Sequence, residues 1–178
     1  MFRCLRPDLR IDEVCQLTPG QLRALGLDAL LLDVDGTLKR YRDKEVPPRV
    51  AAWLAELAAA GVRLCLVSNG RPQRIGRFAA ACGLPFVARA MKPLPSGCRR
   101  ALRQLEVVAG QAAIVGDQVF ADVLAGKLAG LRTILVRPIH PEDEPWFTRL
   151  KRPFERLLGH RAAAPPEPPA DGEQRLGG

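Results

Sequence analysis

The chain has 178 residues, of which 47% are hydrophobic and 26% are charged, and this balance is typical of a globular protein. A chain of this length buries roughly two-thirds of the surface that its unfolded form exposes, so neither a disordered protein nor a disulfide-stapled miniprotein fits. The net charge of +8 favours acidic partners, which are a nucleic acid, an anionic membrane surface or a phosphorylated small molecule.

The five cysteines are widely spaced, no C-x-x-C pair occurs, and there are two histidines. This pattern argues against a zinc site, and the odd number of cysteines argues against a secreted disulfide framework. The first residues lack the continuous apolar stretch of a signal peptide, and no run approaches the roughly 20 apolar residues of a membrane span. We therefore expect a cytoplasmic protein.

Apolar runs and helix-capping residues alternate along the chain and predict helices and strands in turn. In the lead-in, Thr18 is a predicted N-cap, Pro19 the first helical residue and Gly26 the stop of a short helix. The predicted strands are 29–34, 62–67, 86–88, 112–115 and 132–136. The predicted longer helices are 47–60, 71–82, 96–105, 119–129 and 143–158.

This alternation of strands and helices is typical of βαβ units. It predicts a doubly wound, three-layer α/β/α Rossmann-like core with a parallel sheet, in which ligands bind beyond the carboxyl ends of the strands. We expect three regions: a lead-in over 1–28 that packs on the core, the core with its last helix over 29–158, and a disordered tail over 159–178.

Two acids follow the first buried strand. Asp33 and Asp35 precede a Gly36-Thr37 turn, and in an extended chain residues two apart point to the same side. Their negative charges repel unless a cation lies between them, and Mg²⁺ with oxygen ligands is the usual cation beside a phosphate. The structural alternative is that Asp33 caps a helix and Asp35 makes an Asx turn.

Three further predicted strands also end in polar residues. Ser68 and Asn69 follow the second strand, Lys92 follows the third, and Asp117 follows the fourth, with Asp122 on the next helix. Taken singly, these residues have ordinary structural explanations: an N-cap, a solvated surface cation and a helix cap. Because the carboxyl ends of parallel strands converge on one crevice, we expect these groups to meet in one site.

The order of these groups resembles the motifs of the haloacid dehalogenase (HAD) superfamily of phosphohydrolases. In particular it resembles the YqeG-type, phosphatidylglycerophosphatase-like members of HAD subfamily IIIA. Lys92-Pro93 and the stretch 116–123 carry this closer resemblance, which extends over residues 4–158. Three residues depart from the subgroup's common pattern: Gly36 and Gly70, where Asn is common, and Ala121, where Thr is common.

The resemblance implies a Mg²⁺-dependent phosphatase with an uncapped HAD core. Asp33 would be the nucleophile that forms an aspartyl-phosphate, and Asp35 would be the acid and later the base. The Mg²⁺ ion would be held by the carboxylates of Asp33 and Asp117 and by the backbone carbonyl of Asp35.

The remaining site residues would act on the phosphoryl group or on its surroundings. Ser68 and Lys92 would stabilise the phosphoryl oxygens, with Thr37 and Asn69 in support. Asp122 would orient either metal-bound waters or Lys92.

The intervals 38–62 and 69–92 are too short to hold a cap domain, so we expect an open site. An open site suits a phosphate on a large carrier, and the resemblance favours phosphatidylglycerophosphate. Peripheral contact with the anionic inner membrane surface would fit the positive charge. The basic residues considered for that contact are Arg3, Arg6, Arg10, Lys39, Arg40 and Arg42. The helix at 143–158 would join them as a basic amphipathic element, unless its apolar face packs on the sheet.

Other classes of function stay open. The nearest is a phosphatase of a small soluble sugar phosphate or nucleotide. A phospho-receiver domain and a nucleic-acid- or protein-binding scaffold are further alternatives, although no specific nucleic-acid motif is present. The sequence does not indicate the oligomeric state.

Overall fold

The computed structural model describes residues 5–140, which form one six-stranded sheet in the order β1-β6-β5-β2-β3-β4, with every neighbouring pair parallel. The strands are β1 (Leu9–Ile11), β2 (Ala29–Leu32), β3 (Arg63–Val67), β4 (Phe86–Val87), β5 (Ala112–Gly116) and β6 (Arg132–Val136). The helices are α1 (Pro19–Ala24), α2 (Pro48–Ala59), α3 (Pro72–Cys82), α4 (Ser96–Leu105) and α5 (Leu124–Ala129).

Strand β2 lies at the centre of the sheet between β5 and β3, and all four of its residues are fully buried. Its side chains alternate between two cores, as the pleat of a strand requires. Leu30 shares one core with Trp53 of α2, whereas Leu31 shares the other with Cys98 of α4. Helices therefore cover both faces of the sheet, and the predicted three-layer α/β/α fold is confirmed.

Most predicted elements match the structure to within two residues. Thr18 accepts a hydrogen bond from the backbone N–H of Gln21 and caps α1, and Gly83 adopts the left-handed conformation (φ +66°) that ends α3. The predicted helix at 119–129 is divided, because Val119–Val123 forms a π-helical turn before α5 begins. Such turns are rare in proteins, and those that occur often lie at functional sites.

Strand β1 was not predicted. It adds to the sheet edge beside β6, with Leu9 opposite Ile134 and Ile11 opposite Val136. The backbone N–H of Asp8 and its carboxylate both bind Thr133, which anchors the start of this strand. The predicted helix at 143–158 and the tail at 159–178 lie outside the described residues. None of the helices within residues 5–140 is long and apolar enough to cross a membrane.

Candidate active site

The residues that follow β2, β3 and β5, together with the loop after β4, line one cavity of about 300 Å³. Six of the predicted site residues line it: Asp33, Asp35, Ser68, Asn69, Lys92 and Asp122. Thr37 and Asp117 are buried beside it. The convergence of strand ends, which was the basis of the sequence argument, therefore occurs in the structure.

Lys92 connects two acids that come from different strand ends. Its Nζ atom donates hydrogen bonds of 2.6 Å to Asp33 Oδ1 and 2.6 Å to Asp122 Oδ1. Burial raises the pKa of Asp33 to about 7, and Lys92 opposes this shift. Burial lowers the pKa of Lys92, but the charges of Asp122 and Asp33 outweigh it and raise this pKa above its usual range. The lysine is therefore a fixed positive charge beside Asp33.

Asp35 is bound by two other cations. Lys39 Nζ lies 2.8 Å from Asp35 Oδ1, and Arg74 donates from Nη1 to Oδ1 at 2.7 Å and from Nη2 to Oδ2 at 2.5 Å. Burial raises the pKa of Asp35, but the hydrogen bonds from Arg74 and Lys39 outweigh it and hold this pKa below its ordinary value. Basic side chains therefore offset the charges of both acids, Lys92 at Asp33 and the pair Lys39 and Arg74 at Asp35. From the sequence, only a metal cation was expected between the two acids.

The structure does not support the prediction that Lys39 contacts an anionic membrane surface, because the side chain of Lys39 is only 3% exposed. Its Nζ atom also donates to the backbone carbonyl of Arg40 at 2.9 Å. Lys39 is therefore committed to Asp35 and is not available to a membrane.

Asn69 holds the backbone of the loop that carries Lys92. Its Nδ2 donates to the Lys92 carbonyl at 2.9 Å, and its Oδ1 accepts from the Lys92 N–H at 2.8 Å. The amide is therefore used to position the lysine, and a direct contact of Asn69 with phosphate stays a prediction. Ser68 Oγ accepts a hydrogen bond of 3.1 Å from the N–H of Gly70 and lines the cavity.

Three buried carboxylates, Asp33, Asp117 and Asp122, offer oxygens that all lie within 4.8 Å of one another. The Thr37 hydroxyl lies 3.4 Å from both Asp33 Oδ2 and Asp117 Oδ1, and its single hydrogen can serve only one of them. An all-oxygen, strongly negative donor set fits a hard divalent cation such as Mg²⁺. The carboxylate of Asp35 is not part of this cluster, and Asp122 takes the third place.

Glycines keep this cluster compact. Gly36 has φ +84°, and a Cβ there would lie 2.8 Å from Asp117 Oδ2. A Cβ at Gly116 would overlap the carboxylate of Asp122. Both positions need glycine because the acids approach the backbone so closely.

Several cavity residues were missed by sequence reasoning. Arg74 lies in the first turn of α3, directly after the Ser68 motif, and that position was the available signal. Tyr41 is the chain's single tyrosine, and its hydroxyl accepts a hydrogen bond of 3.0 Å from Gln118 Nε2. Burial and the neighbouring acids raise the Tyr41 pKa, so the phenol stays protonated.

Comparisons with known proteins agree with this geometry. A family model described as haloacid dehalogenase-like hydrolase matches residues 14–130. The probable phosphatase YqeG of Bacillus subtilis (strain 168) is 32% identical over 152 residues, which cover 85% of this chain and 88% of that protein. Phosphatidylglycerophosphate phosphatase 1, chloroplastic, of Chlamydomonas reinhardtii is 29% identical over 160 residues, or 85% of this chain and 60% of that protein.

A solved structure shows the same fold. It is the 3-deoxy-D-manno-octulosonate 8-phosphate phosphatase of Moraxella catarrhalis, in complex with a magnesium ion, a phosphate ion and a KDO molecule. The TM-score is 0.53 at 17% identity, and the match covers 68% of this chain and 74% of that chain. At this identity the likeness supports the fold alone.

Proposed function

Because this chain belongs to the haloacid dehalogenase-like hydrolases and is a phosphatase of that family, we propose that it is a Mg²⁺-dependent phosphomonoesterase that works through an aspartyl-phosphate. The observation that carries this proposal is the position of Asp33. Its carboxylate is buried, lines the cavity and is held by Lys92, with two more acids within metal-binding distance.

In the first proposed step, a carboxylate oxygen of Asp33 attacks phosphorus. A bond forms between this oxygen and phosphorus, while the bond from phosphorus to the leaving oxygen breaks. Asp35 would give the leaving oxygen its proton, which is the role that the family resemblance implies. Lys92 would offset the charge on the phosphoryl oxygens, and Ser68 would donate a hydrogen bond to them.

In the second step, water attacks the aspartyl-phosphate and releases inorganic phosphate and the free Asp33 carboxylate. Asp35 would take the proton of that water. Asp35 has given its proton to the leaving oxygen in the first step, so it is ionised when the water attacks, and the proton of the water returns it to the acid form for the next turnover. Its lowered pKa favours the ionised form in this second step, and Arg74 and Lys39 hold its position.

The proposed metal ligands are the carboxylates of Asp33 and Asp117 and the backbone carbonyl of Asp35. When bound, Mg²⁺ would withdraw negative charge from the phosphoryl group. Asp122 lies within the same carboxylate cluster, and its hydrogen bond to Lys92 supports a role in orienting the lysine.

For the substrate, we propose a phosphate carried on a large molecule, with phosphatidylglycerophosphate as the best candidate. The stretch between Thr37 and β3 contains one helix, α2, and no cap domain covers the cavity within the described residues. Met91 and Leu94, which flank Lys92-Pro93, are 62% and 51% exposed. Two apolar side chains beside an open site suit a lipid better than a sugar phosphate.

To reach this substrate from the cytoplasm, the protein would bind peripherally to the anionic inner face of a membrane. The similarity to the Chlamydomonas reinhardtii enzyme supports the lipid proposal. The second candidate is a small soluble phosphate, which the cavity of about 300 Å³ would also admit.

The test is phosphate release in the presence of Mg²⁺ from a panel of substrates. The panel contains phosphatidylglycerophosphate in mixed micelles, nucleotides, sugar phosphates and a phosphopeptide, each given to the wild type and to Asp33→Asn. We expect lipid-selective turnover that Asp33→Asn reduces by at least about a thousandfold. Turnover of small phosphates alone would remove the lipid substrate, and equal turnover by Asp33→Asn would contradict the mechanism.

A further inference from the structure

Arg74 is the partly exposed cation of the cavity wall. Its side chain is 48% exposed, whereas those of Lys39 and Lys92 are each 3% exposed. Its guanidinium grips both oxygens of Asp35 and uses one N–H from each terminal nitrogen. Because a guanidinium carries five N–H donors in a planar fork, this group can bind a second anion while it contacts Asp35.

Gly70 leaves the space in which the guanidinium lies. A Cβ at this position would be 2.5 Å from Arg74 Nη2 and 2.8 Å from Ile75 Cδ1. The backbone of Gly70 does not adopt the left-handed region, so its own conformation does not require glycine. Glycine at this position therefore leaves room for the side chains of both Arg74 and Ile75 where they now lie. Gly70 is one of the three departures from the resembled subgroup.

The site separates its cations by position. Lys92 is buried against Asp33, the group that would receive the phosphoryl unit. Arg74 is bound to Asp35, the group that would protonate the leaving oxygen. Arg74 therefore lies on the side of the leaving group. Lys39 is fixed by Asp35 and the Arg40 carbonyl, so Asp35 stays anchored if Arg74 shifts.

We propose that Arg74 is a specificity-determining residue that selects substrates with a second anionic group close to the phosphomonoester, on the leaving part of the molecule. The proposal rests on the phosphatase reaction proposed above and adds the class of substrate. A phosphodiester, as in a lipid headgroup, and a carboxylate, as in a small phospho-acid, share the required chemistry.

The test compares three soluble substrates of the wild type with Mg²⁺ at constant ionic strength. Glycerol 3-phosphate has no second anion, phosphoglycolate has a carboxylate, and deacylated phosphatidylglycerophosphate has a phosphodiester. We expect kcat/KM to favour at least one doubly anionic substrate by about ten- to a hundredfold, the value of a charge-assisted contact. A larger preference for phosphoglycolate would identify the second anion as a carboxylate. A larger preference for deacylated phosphatidylglycerophosphate would identify it as a phosphodiester.

Arg74→Gln is expected to reduce this preference to within about threefold, mainly through KM, because the second anion does not change its charge during the reaction. Arg74→Lys should keep part of the preference. Arg71→Gln, which removes a neighbouring exposed arginine that does not line the cavity, should keep all of it. Gly70→Ala should lose the preference like Arg74→Gln, although the arginine is still present.

The outcomes separate the two proposals. Equal hydrolysis of all three substrates by the wild type, or an unchanged preference in Arg74→Gln, overturns the role of Arg74 and leaves the phosphatase intact. If the folded wild type with Mg²⁺ releases phosphate from no substrate at all, both proposals fail.

Discussion

Lys92 donates a hydrogen bond of 2.6 Å to Asp122, which lies 30 residues further along the chain in the π-helical turn. The second oxygen of Asp122 accepts the backbone N–H of Gln118 at 3.1 Å, so both oxygens of this buried carboxylate have partners. Asp122 thus connects the turn after β5 to the lysine that contacts Asp33. The position of Lys92 depends on this acid.

We predict that Asp122→Asn lowers kcat by about ten- to a hundredfold, the usual effect of removing an outer partner of a catalytic group. The amide keeps the size of the side chain but loses the charge that holds Lys92. Steady-state kinetics with Mg²⁺ measure the effect. Asp12→Asn, at an exposed acid, is the matched control and should be neutral. An equal loss in both variants would contradict a specific role for Asp122.

The raised pKa of Asp33 predicts a pH dependence of stability in the metal-free protein. In the folded state this carboxyl keeps its proton up to a pH of about 7, whereas its unfolded pKa is near 3.8. The stabilisation of the folded state by this group is complete below its pKa in the unfolded state. It is lost as the pH rises through its pKa in the folded state. Between pH 4 and pH 7, the free energy of unfolding should therefore fall by at most about 4 kcal/mol from this group.

Urea unfolding with a chelator at pH 5 and pH 8 measures the part of this fall that lies above pH 5, and Asp33→Asn should show a smaller fall. Mg²⁺ should restore stability at pH 8 more than at pH 5, because it binds the ionised carboxylate. A wild type whose pH dependence equals that of Asp33→Asn would refute the prediction.

Gly36 and Gly61 form a natural pair for separating strain from site geometry. Their φ angles are +84° and +85°, but a Cβ at Gly36 would meet Asp117, whereas Gly61 has no heavy atom within 4 Å of that point. We predict that Gly36→Ala and Gly61→Ala both lose about 1–2 kcal/mol of stability from the left-handed backbone. Only Gly36→Ala should also lose Mg²⁺-dependent activity.

Thermal unfolding and phosphate release measure the two effects separately. Loss of activity in Gly61→Ala, or full activity in Gly36→Ala, would show that the close approach to Asp117 does not matter.

Much of the fold and of the acid constellation could be predicted from the sequence, for a physical reason. Buried parallel strands are short apolar runs, and the polar residues that end them must converge at one edge of the sheet. The positions of Asp33, Lys92 and Asp117 follow from that rule. Strand β1 could not be predicted because Leu9–Ile11 has three residues, of which Arg10 is polar, and its pairing with β6 is distant in sequence.

The sequence also could not predict how the charges pair. Lys39 and Arg74 are ordinary basic residues in the sequence, and only the folded chain brings both to Asp35. The sequence predicted that Asn69 supports the phosphoryl group, whereas in the structure its amide binds the backbone of Lys92. The contacts of Arg74 with Asp35 and of Asn69 with Lys92 depend on the approach of separate strand ends, which local sequence patterns do not encode.

The lipid proposal predicts a special role for the apolar pair beside the site. Met91 and Leu94 are 62% and 51% exposed, and the distant pair Val108 and Leu128 is exposed to a similar extent, 65% and 47%. We predict that the double variant Met91→Ser/Leu94→Ser lowers turnover of phosphatidylglycerophosphate in anionic micelles by about tenfold or more. Each side chain would lose about 0.8–1.5 kcal/mol of apolar contact, which is half of the value of a full burial.

Val108→Ser/Leu128→Ser is the matched control and should keep its activity, because its side chains are not next to Lys92. Turnover of a soluble phosphate should be unchanged in both variants, since none of the four residues lines the cavity. Flotation with anionic vesicles provides an independent measurement, in which the first variant should float less than the second. If both pairs reduce lipid turnover equally, the surface beside Lys92 has no special contact with lipid, and the small soluble substrate becomes the better proposal.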